Sequence, residues 1–314
     1  CASGLASAVN GSRMLALGDA DVVVAGGVEN MTRGPWVMSK ASKAFGRDSS
    51  LYDSSFGWRF INPKLETVYG VDGMGVTAEN LVDKYSISRD DQDAFAFRSH
   101  MKATAARDSG RLAQEIIPVH IPRRKQDDLI FEHDEFIKPE TTVQILAKLR
   151  PAFRKEGGSV TAGNSSGLND GSAALLLANE SGLSSSGLTP LAQIISSAVL
   201  GVHRRIKGIG PVQASEIALK RAGITFSDLD VIELNEAFSA QTLACIRAWG
   251  LDDDDSRINP NGGGISIGHP LGVTGSRILL AAARQLERTG GKYGLVTLCI
   301  GVGQGYAVVI KNTQ

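Results

Sequence analysis

Reactive cysteine and histidine side chains stand at three places in the sequence where they could carry nucleophilic catalysis. Cys1 precedes SGLASAV, whose apolar spacing predicts a helix that ends at Gly18. At a helix N-terminus the free backbone N–H groups and the helix dipole favour the thiolate, the nucleophilic form of cysteine. His269 lies in the glycine-rich stretch GGGISIGHPLG. It is the best candidate for the base that such a cysteine needs, although a lone histidine often has a structural role.

Two further candidates follow predicted strands. Cys299 ends the apolar run LVTLCI and is followed by GVGQG, whose backbone N–H groups could form an oxyanion hole. A cysteine at a strand end can equally be a small core residue. Asn235 follows the predicted strand VIEL, and ligands gather at strand ends in α/β sheets. Asn235 could cap the next helix, or it could hold a water or polarise a carbonyl.

The surrounding pattern predicts the elements that position these residues. DVVVAGG after the first helix is typical of a buried strand, and residues 187–314 alternate strands with helices. This alternation predicts an α/β fold with helices covering mixed sheets. CASGL and HPLGV each enter a helix that a buried strand follows, so a duplicated unit would bring two helix N-termini together. Residues from about 39 to 160 indicate an inserted, mostly exposed region with helical segments.

The composition excludes several classes of function. Lys plus Arg and Asp plus Glu both total 33, so the balanced charge argues against a nucleic-acid partner. No apolar run is long enough for a membrane span, and no cysteine or histidine spacing indicates a metal site. Three widely separated cysteines do not form a disulfide framework and fit a reducing compartment, so we expect a cytoplasmic protein.

Several of these stretches together resemble the thiolase family. The similar motifs follow the family's order along the whole chain: CASGL, DVVVAGGVENMTR, GVTAENL, KLRPAF, TAGNSSGLNDGSA, GIGP, LNEAFSAQ, NGGGISIGHPLGVTGSR and LCIGVGQG. The resemblance implies two related α/β halves with an inserted loop domain. The implied N-terminal half is residues 1–38 and 158–186, the loop domain is 39–157, and the C-terminal half is 187–314. It also implies that the elements before the nucleophile are absent, and we expect such a fragment to be neither stable nor active.

The resemblance implies a set of catalytic roles. Cys1 would be the nucleophile that accepts the acyl group, and His269 would activate it. Cys299 would be the acid and base that exchanges a proton with acetyl-CoA. Asn235 would hold a water in one oxyanion hole, and the backbone N–H groups of Cys1 and Gly301 would form a second hole.

Coenzyme A would be a substrate, with no permanently bound cofactor and no metal. The residues expected by similarity to bind it are Met74, Lys138, Leu149, Ala162, Ser166, Lys207 and Phe238. Lys207 departs from the family, which usually has methionine there. Its ammonium could meet a distal carboxylate on the acyl chain, or it could point away.

The expected reaction cleaves 3-oxoadipyl-CoA with coenzyme A to succinyl-CoA and acetyl-CoA, because AFGRD, GWRFINP and GVGQG are similar to that branch of the family. An acetoacetyl-CoA or general 3-ketoacyl-CoA thiolase is the alternative. An N-terminal-nucleophile hydrolase using Cys1 is a more remote one, and an inert CoA-binding relative is disfavoured by the presence of both Cys1 and Cys299. Apart from CoA and acyl-CoA substrates we expect no nucleic-acid or membrane partner, and a homodimer or homotetramer.

Overall fold

Two β-sheets and the helices packed on them form the framework of the computed structural model, which describes residues 1–314. The strands are β1 (Val22–Asn30), β2 (Trp36–Met38), β3 (Leu51–Asp53), β4 (Val119–Ile121), β5 (Leu129–Phe131), β6 (Asp170–Ala178), β7 (Ala192–Gly201), β8 (Val231–Leu234), β9 (Tyr293–Ile300) and β10 (Gln304–Asn312). The α-helices are α1 (Ser3–Leu17), α2 (Pro63–Tyr69), α3 (Met74–Tyr85), α4 (Arg89–Asp108), α5 (Val143–Ala147), α6 (Glu180–Ser186), α7 (Gly210–Ala222), α8 (Ser239–Ala248), α9 (Gly264–Ile267) and α10 (Leu271–Thr289). Short 3-10 helices span Leu112–Gln114, Ala162–Asn164, Arg204–Ile209 and Phe226–Asp228.

The larger sheet is mixed, as the alternation of strands and helices predicts. Its strand order is β7-β10-β9-β8, with β8 parallel to β9 and the other neighbours antiparallel. Leu295 and Val296 are both fully buried but belong to different hydrophobic clusters, because successive side chains of a strand point to opposite faces. Helices α7 and α8 cover one face, and α1 and α10 cover the other.

The smaller sheet pairs β1 with β6 in antiparallel register, from Val22 opposite Ala178 to Asn30 opposite Asp170. Helices α1 and α10 pack on its inner face and so form a layer between the two sheets. The expectation of a fully buried strand at DVVVAGG is wrong, because Val24 on β1 is 72% exposed. No helix covers the outer face of this two-stranded sheet, so alternate residues of β1 face solvent.

The segment between the strands of the smaller sheet contains two short hairpins, β2-β3 and β4-β5, and helices α2 to α5. The hairpins are largely exposed, whereas the inner faces of α3 and α4 are not. Leu81, Ala96 and Ala103 are fully buried, since α3 and α4 pack against α8, α9 and the Arg204–Ile209 turn. The expectation of a mostly exposed region is therefore wrong for these two helices, which form one wall of the space around the strand ends of the larger sheet.

No helix of the chain combines the length and the apolar character that crossing a bilayer requires. The histidine, cysteine, aspartate and glutamate side chains form no group of three arranged to hold a metal ion.

Candidate active site

The N-termini of α1 and α10 lie against each other, with glycines at the points of closest approach. A methyl group on Gly4 would lie 2.7 Å from the carbonyl oxygen of Gly272, and one on Gly275 would overlap the backbone of Leu5. Cys1 and His269 each precede one of these helices by two residues. The structure therefore brings together the two helix starts that the internal similarity of CASGL and HPLGV predicts.

Strand β1 fixes the start of α10 through backbone contact and one carboxylate. A methyl group on Gly27 would overlap the carbonyl oxygen of Gly272, so only glycine allows this approach. Glu29 Oε2 accepts a hydrogen bond from the Gly272 N–H at 2.8 Å. A carboxylate in this position satisfies a free N–H of the first turn and complements the helix dipole.

His269 is buried, and two polar side chains hold its ring. Thr274 Oγ1 donates to the carbonyl oxygen of Pro270 at 3.0 Å, so its single proton is already used. The 2.7 Å contact between His269 Nδ1 and Thr274 Oγ1 therefore has Nδ1–H as the donor. This assignment leaves Nε2 unprotonated, and the Asn235 Nδ2 amide faces it at 3.3 Å. The ring is held in one tautomer with its basic nitrogen in the site.

The charge of His269 is set chiefly by desolvation. Burial lowers the pKa of His269 well below its usual value, and positive charge on Arg277 and Lys207 lowers it further. The imidazole is therefore neutral near pH 7 and can accept a proton. A neutral histidine with a free Nε2 is the form that a general base requires.

Asn235 follows the last residue of β8 and is almost fully buried. Its backbone N–H donates to Thr297 on β9, which fixes the side chain beside His269. The Oδ1 atom has no hydrogen-bond partner within the protein. Buried polar atoms are nearly always satisfied, so this oxygen is available to a ligand or a water. The neighbouring Glu236 is instead bound by Ser99 and Asn259.

Cys299 is fully buried near the end of β9, and Lys207 donates to its sulfur at 3.4 Å. Cys1 is half-buried and lies in the same electrostatic environment. Its backbone nitrogen lies close enough to Cys299, Lys207 and Glu29 to interact with them electrostatically. Two thiols, one lysine and one neutral histidine thus share a small region where α1, β9 and α10 meet.

The residues expected to bind coenzyme A fall into two groups and one outlier. Met74 and Phe238 pack in the same apolar cluster as Cys299, and a methyl group on Gly301 would lie 3.9 Å from the Met74 sulfur. The Ser166 N–H donates to Ala237 at 3.0 Å, which ties the TAGNSSG loop to this cluster.

The second group lies near the start of that loop. Leu149 packs directly against Gly163, next to the exposed Ala162. Lys138 is exposed, and its ammonium lies over the ring of Phe136, 5.0 Å from the centroid. Lys207 belongs to neither group, because the structure places it against Cys299.

Sequence reasoning missed Thr274 and Glu29, which orient His269 and the start of α10. Thr274 lies one helical turn after Pro270, and that i, i+4 spacing at the entry of a predicted helix is the one signal that could have indicated it. Glu29 is distant from Gly272 in the sequence, and nothing in VENMTR indicates which helix it meets.

A cysteine at a helix start, a neutral histidine, an amide at a strand end and a second buried thiol together fit the chemistry of cysteine-dependent acyl transfer. The chain belongs to the thiolase family. The thiolase N-terminal domain matches residues 1–181 and the thiolase C-terminal domain matches residues 188–312. Thiolases are acyltransferases that use coenzyme A as a substrate.

Similar proteins include beta-ketoadipyl-CoA thiolases from Acinetobacter baylyi and Pseudomonas aeruginosa. These are 49% and 50% identical over 312 residues, covering 99% of this chain and 78% and 77% of the relatives. The human mitochondrial 3-ketoacyl-CoA thiolase is a similar solved structure, with a TM-score of 0.91 and 40% identity over 100% of this chain and 77% of the other. Family membership decides against the N-terminal-nucleophile hydrolase.

Proposed function

We propose that this thiolase cleaves 3-oxoadipyl-CoA with coenzyme A to give succinyl-CoA and acetyl-CoA. The substrate is supported by the beta-ketoadipyl-CoA thiolases that share about half of its residues, and by the 3-oxoadipyl-CoA/3-oxo-5,6-dehydrosuberyl-CoA thiolase of Escherichia coli, which is 48% identical. The observation that carries the mechanism is the neutral His269, held between Asn235 and Thr274 at the start of α10.

In the first half-reaction, Cys1 attacks the C3 carbonyl and its thiol proton passes to His269 Nε2. The bond between C2 and C3 then breaks, and its electron pair leaves with the acetyl-CoA carbanion. Cys299 donates its thiol proton to that carbanion, which releases acetyl-CoA and leaves a thioester on Cys1. A water on Asn235 Oδ1 and the backbone N–H groups of Cys1 and Gly301 stabilise the oxyanions.

In the second half-reaction, incoming coenzyme A gives its thiol proton to Cys299. Its sulfur attacks the thioester on Cys1, and succinyl-CoA leaves. His269 returns its proton to the Cys1 sulfur, so both thiols regain their starting state. Acetyl-CoA leaves before coenzyme A enters the same site, so we expect ping-pong kinetics.

The CoA arm lies, in this proposal, along Met74, Phe238, Ser166, Ala162 and Leu149. The first two pack with Cys299 and the last two lie together, so these residues form a path from the reacting thiol to the surface. Lys138 is exposed, and in this proposal it meets the nucleotide end of CoA by charge attraction.

Three further properties belong to the same proposal. The chain is divided into an N-terminal half of residues 1–38 and 158–186, a loop domain of 39–157 and a C-terminal half of 187–314. The enzyme acts in the cytoplasm, and it assembles as a homodimer or homotetramer. Fractionation of the source cells tests the location, and light scattering of the purified protein tests the oligomeric state.

Thiolysis rates test the choice of substrate. We expect a clear preference for 3-oxoadipyl-CoA over acetoacetyl-CoA when consumption of each is followed in the presence of CoA. A preference for acetoacetyl-CoA would instead favour the function named for a 44% identical acetyl-CoA acetyltransferase of Chromobacterium violaceum.

The role of Cys299 is tested by the Cys299→Ala variant. We expect this variant to form the acyl-enzyme on Cys1 from an acyl-CoA donor, because nucleophile and base remain. It should fail to condense that acyl group with acetyl-CoA, because the α-proton has no acceptor. Normal condensation would exclude Cys299 as the acid and base, and intact-protein mass measures the acyl-enzyme directly.

A further inference from the structure

Lys207 is a buried lysine whose ammonium has one hydrogen-bond partner in the chain, a cysteine sulfur. Its side chain lies in the Arg204–Ile209 turn, the residue is 3% exposed, and Nζ donates to Cys299 Sγ at 3.4 Å. No carboxylate forms an ion pair with it. Taking an ammonium out of water is costly, and an anion beside it lowers that cost.

Several elements pack around Lys207, and their charges decide what can neutralise it. The titratable or charged groups on them are Arg204 and Arg205 of its own turn, Glu79, Asp83, Lys84 and Tyr85 of α3, Glu216, Lys220 and Arg221 of α7, Cys245 and Arg247 of α8, Tyr293 and Cys299 of β9, and Tyr306 and Lys311 of β10. Across the site lie Cys1 and His269.

The buried groups nearest to Lys207, apart from Cys299, supply no negative charge at Nζ. Burial raises the pKa of Cys245, so this residue stays a thiol, and its sulfur lies against the Gly208 carbonyl oxygen at 3.3 Å. Glu79 is committed to the backbone N–H groups of Ser159 and Val160. Cys299 is therefore the one group in contact with the ammonium that can become an anion.

We propose that Lys207 is the charge partner of Cys299 and holds its sulfur as a thiolate whenever the α-proton of acetyl-CoA must be accepted. The inference rests on the proposed role of Cys299 as acid and base. It makes Lys207 a positioning residue that acts through Cys299, rather than a ligand for a distal carboxylate on the acyl chain. Lys207 contacts Cys299, which exchanges a proton with the α-carbon of acetyl-CoA. A distal carboxylate would lie at the opposite end of the acyl chain.

The proton balance keeps Lys207 charged throughout the cycle. During cleavage, the Cys299 thiol gives its proton to the acetyl-CoA carbanion, and the resulting thiolate is paired with the ammonium. When coenzyme A enters, its thiol proton returns to Cys299 and the pair is dissolved. In the condensation direction, the paired thiolate accepts the α-proton and the enolate carbon attacks the thioester on Cys1. Lys207 neither gains nor loses a proton in any step.

The first experiment compares the pH profiles of condensation for wild type, Lys207→Met and Lys207→Arg. Methionine removes the charge at similar length, and arginine keeps it. We expect the acidic limb of Lys207→Met to move to higher pH by about one unit or more, with roughly tenfold slower condensation at pH 7. Lys207→Arg should restore most of the wild-type profile. The Cys1 acyl-enzyme should still form in every variant, which separates failure of this inference from failure of the proposed function.

A matched control comes from Lys102, another largely buried lysine, which donates to the Ile258 carbonyl oxygen at 2.8 Å away from the two thiols. Lys102→Met should leave the midpoint of the acidic limb in place even if it lowers stability. A Lys207→Met profile that matches wild type, or a shift that Lys102→Met reproduces, would overturn the proposal.

A second measurement does not depend on any lysine variant folding. Thiolate absorbance of the Cys1 acyl-enzyme is titrated with pH in the wild-type protein and in Cys299→Ala. We expect the alanine variant to lack one thiolate equivalent near neutral pH. Equal absorbance in the two proteins would show that the Lys207–Cys299 pair is neutral, and the inference would then be wrong.

Discussion

The contact between Thr274 and His269 allows a quantitative test of how the base is oriented. Thr274 is fully buried, and its hydroxyl accepts from His269 Nδ1 at 2.7 Å. Thr274→Val keeps the shape of the side chain but removes that acceptor. A buried donor left without a partner costs about 1–3 kcal/mol. The ring can avoid this cost by moving its proton to Nε2, and it then cannot take the proton of Cys1.

That free energy converts directly into a rate. We expect acylation of Cys1 to slow roughly tenfold to a hundredfold in Thr274→Val, since each 1.4 kcal/mol is a factor of ten. Single-turnover mixing with an acyl-CoA, followed by acid quench and intact mass, measures the acylation step alone. Circular dichroism should show an unchanged fold, because valine is close to threonine in size.

The matched control is Thr274→Ser, which keeps the hydroxyl and removes one methyl group. Serine should acylate Cys1 at close to the wild-type rate. The assignment of the His269 tautomer would be refuted by wild-type acylation in the valine variant. Equal slowing by serine and valine would also refute it, because packing rather than the hydrogen bond would then be responsible.

Two further predictions concern stability. A methyl group on Gly27 would overlap the Gly272 carbonyl oxygen, so Gly27→Ala should lower the free energy of unfolding by about 1–3 kcal/mol in a denaturant titration. Gly201→Ala, whose methyl group would lie 3.9 Å from the Gly303 carbonyl oxygen, should be nearly neutral, and equal effects would contradict the steric argument. Burial, with help from Lys138, lowers the pKa of His100 to about 4. The unfolded chain therefore binds an extra proton between about pH 6.5 and 4, and stability falls by roughly 2–3 kcal/mol as pH falls through that window. His100→Asn, which keeps an acceptor for the Lys138 N–H, should flatten that decline, and an unchanged acid transition would contradict the assignment.

Features set by local sequence were predictable, and the active-site framework is mostly of this kind. Apolar spacing and glycine positions predict the helix starts after Cys1 and His269. They also predict the strand ends at Asn235 and Cys299, and each prediction uses only residues close by in the sequence. The α/β alternation after residue 187 is equally local. Each of these needs only short-range chain geometry, which the period of the pattern encodes.

Features that depend on distant neighbours were not predictable. The exposure of one face of β1 depends on which strands and helices lie beside it. The apolar sequence VVVAGG is compatible with a strand that is covered on one face and with a strand that is covered on both. The burial of α3 and α4 follows from α8, more than 130 residues away along the chain. The direction of the Lys207 side chain depends on a turn that breaks helical geometry at Ile206, which no periodicity reports.

The glycine seam between α1, β1 and α10 limits how this enzyme can be redesigned. Backbone atoms have no rotamers, so a side chain at Gly4, Gly27 or Gly275 would overlap the facing backbone and could not adjust the gap between Cys1 and His269 in small steps. The distance between Cys1 and His269 is therefore fixed by backbone packing and not by the choice of side chains.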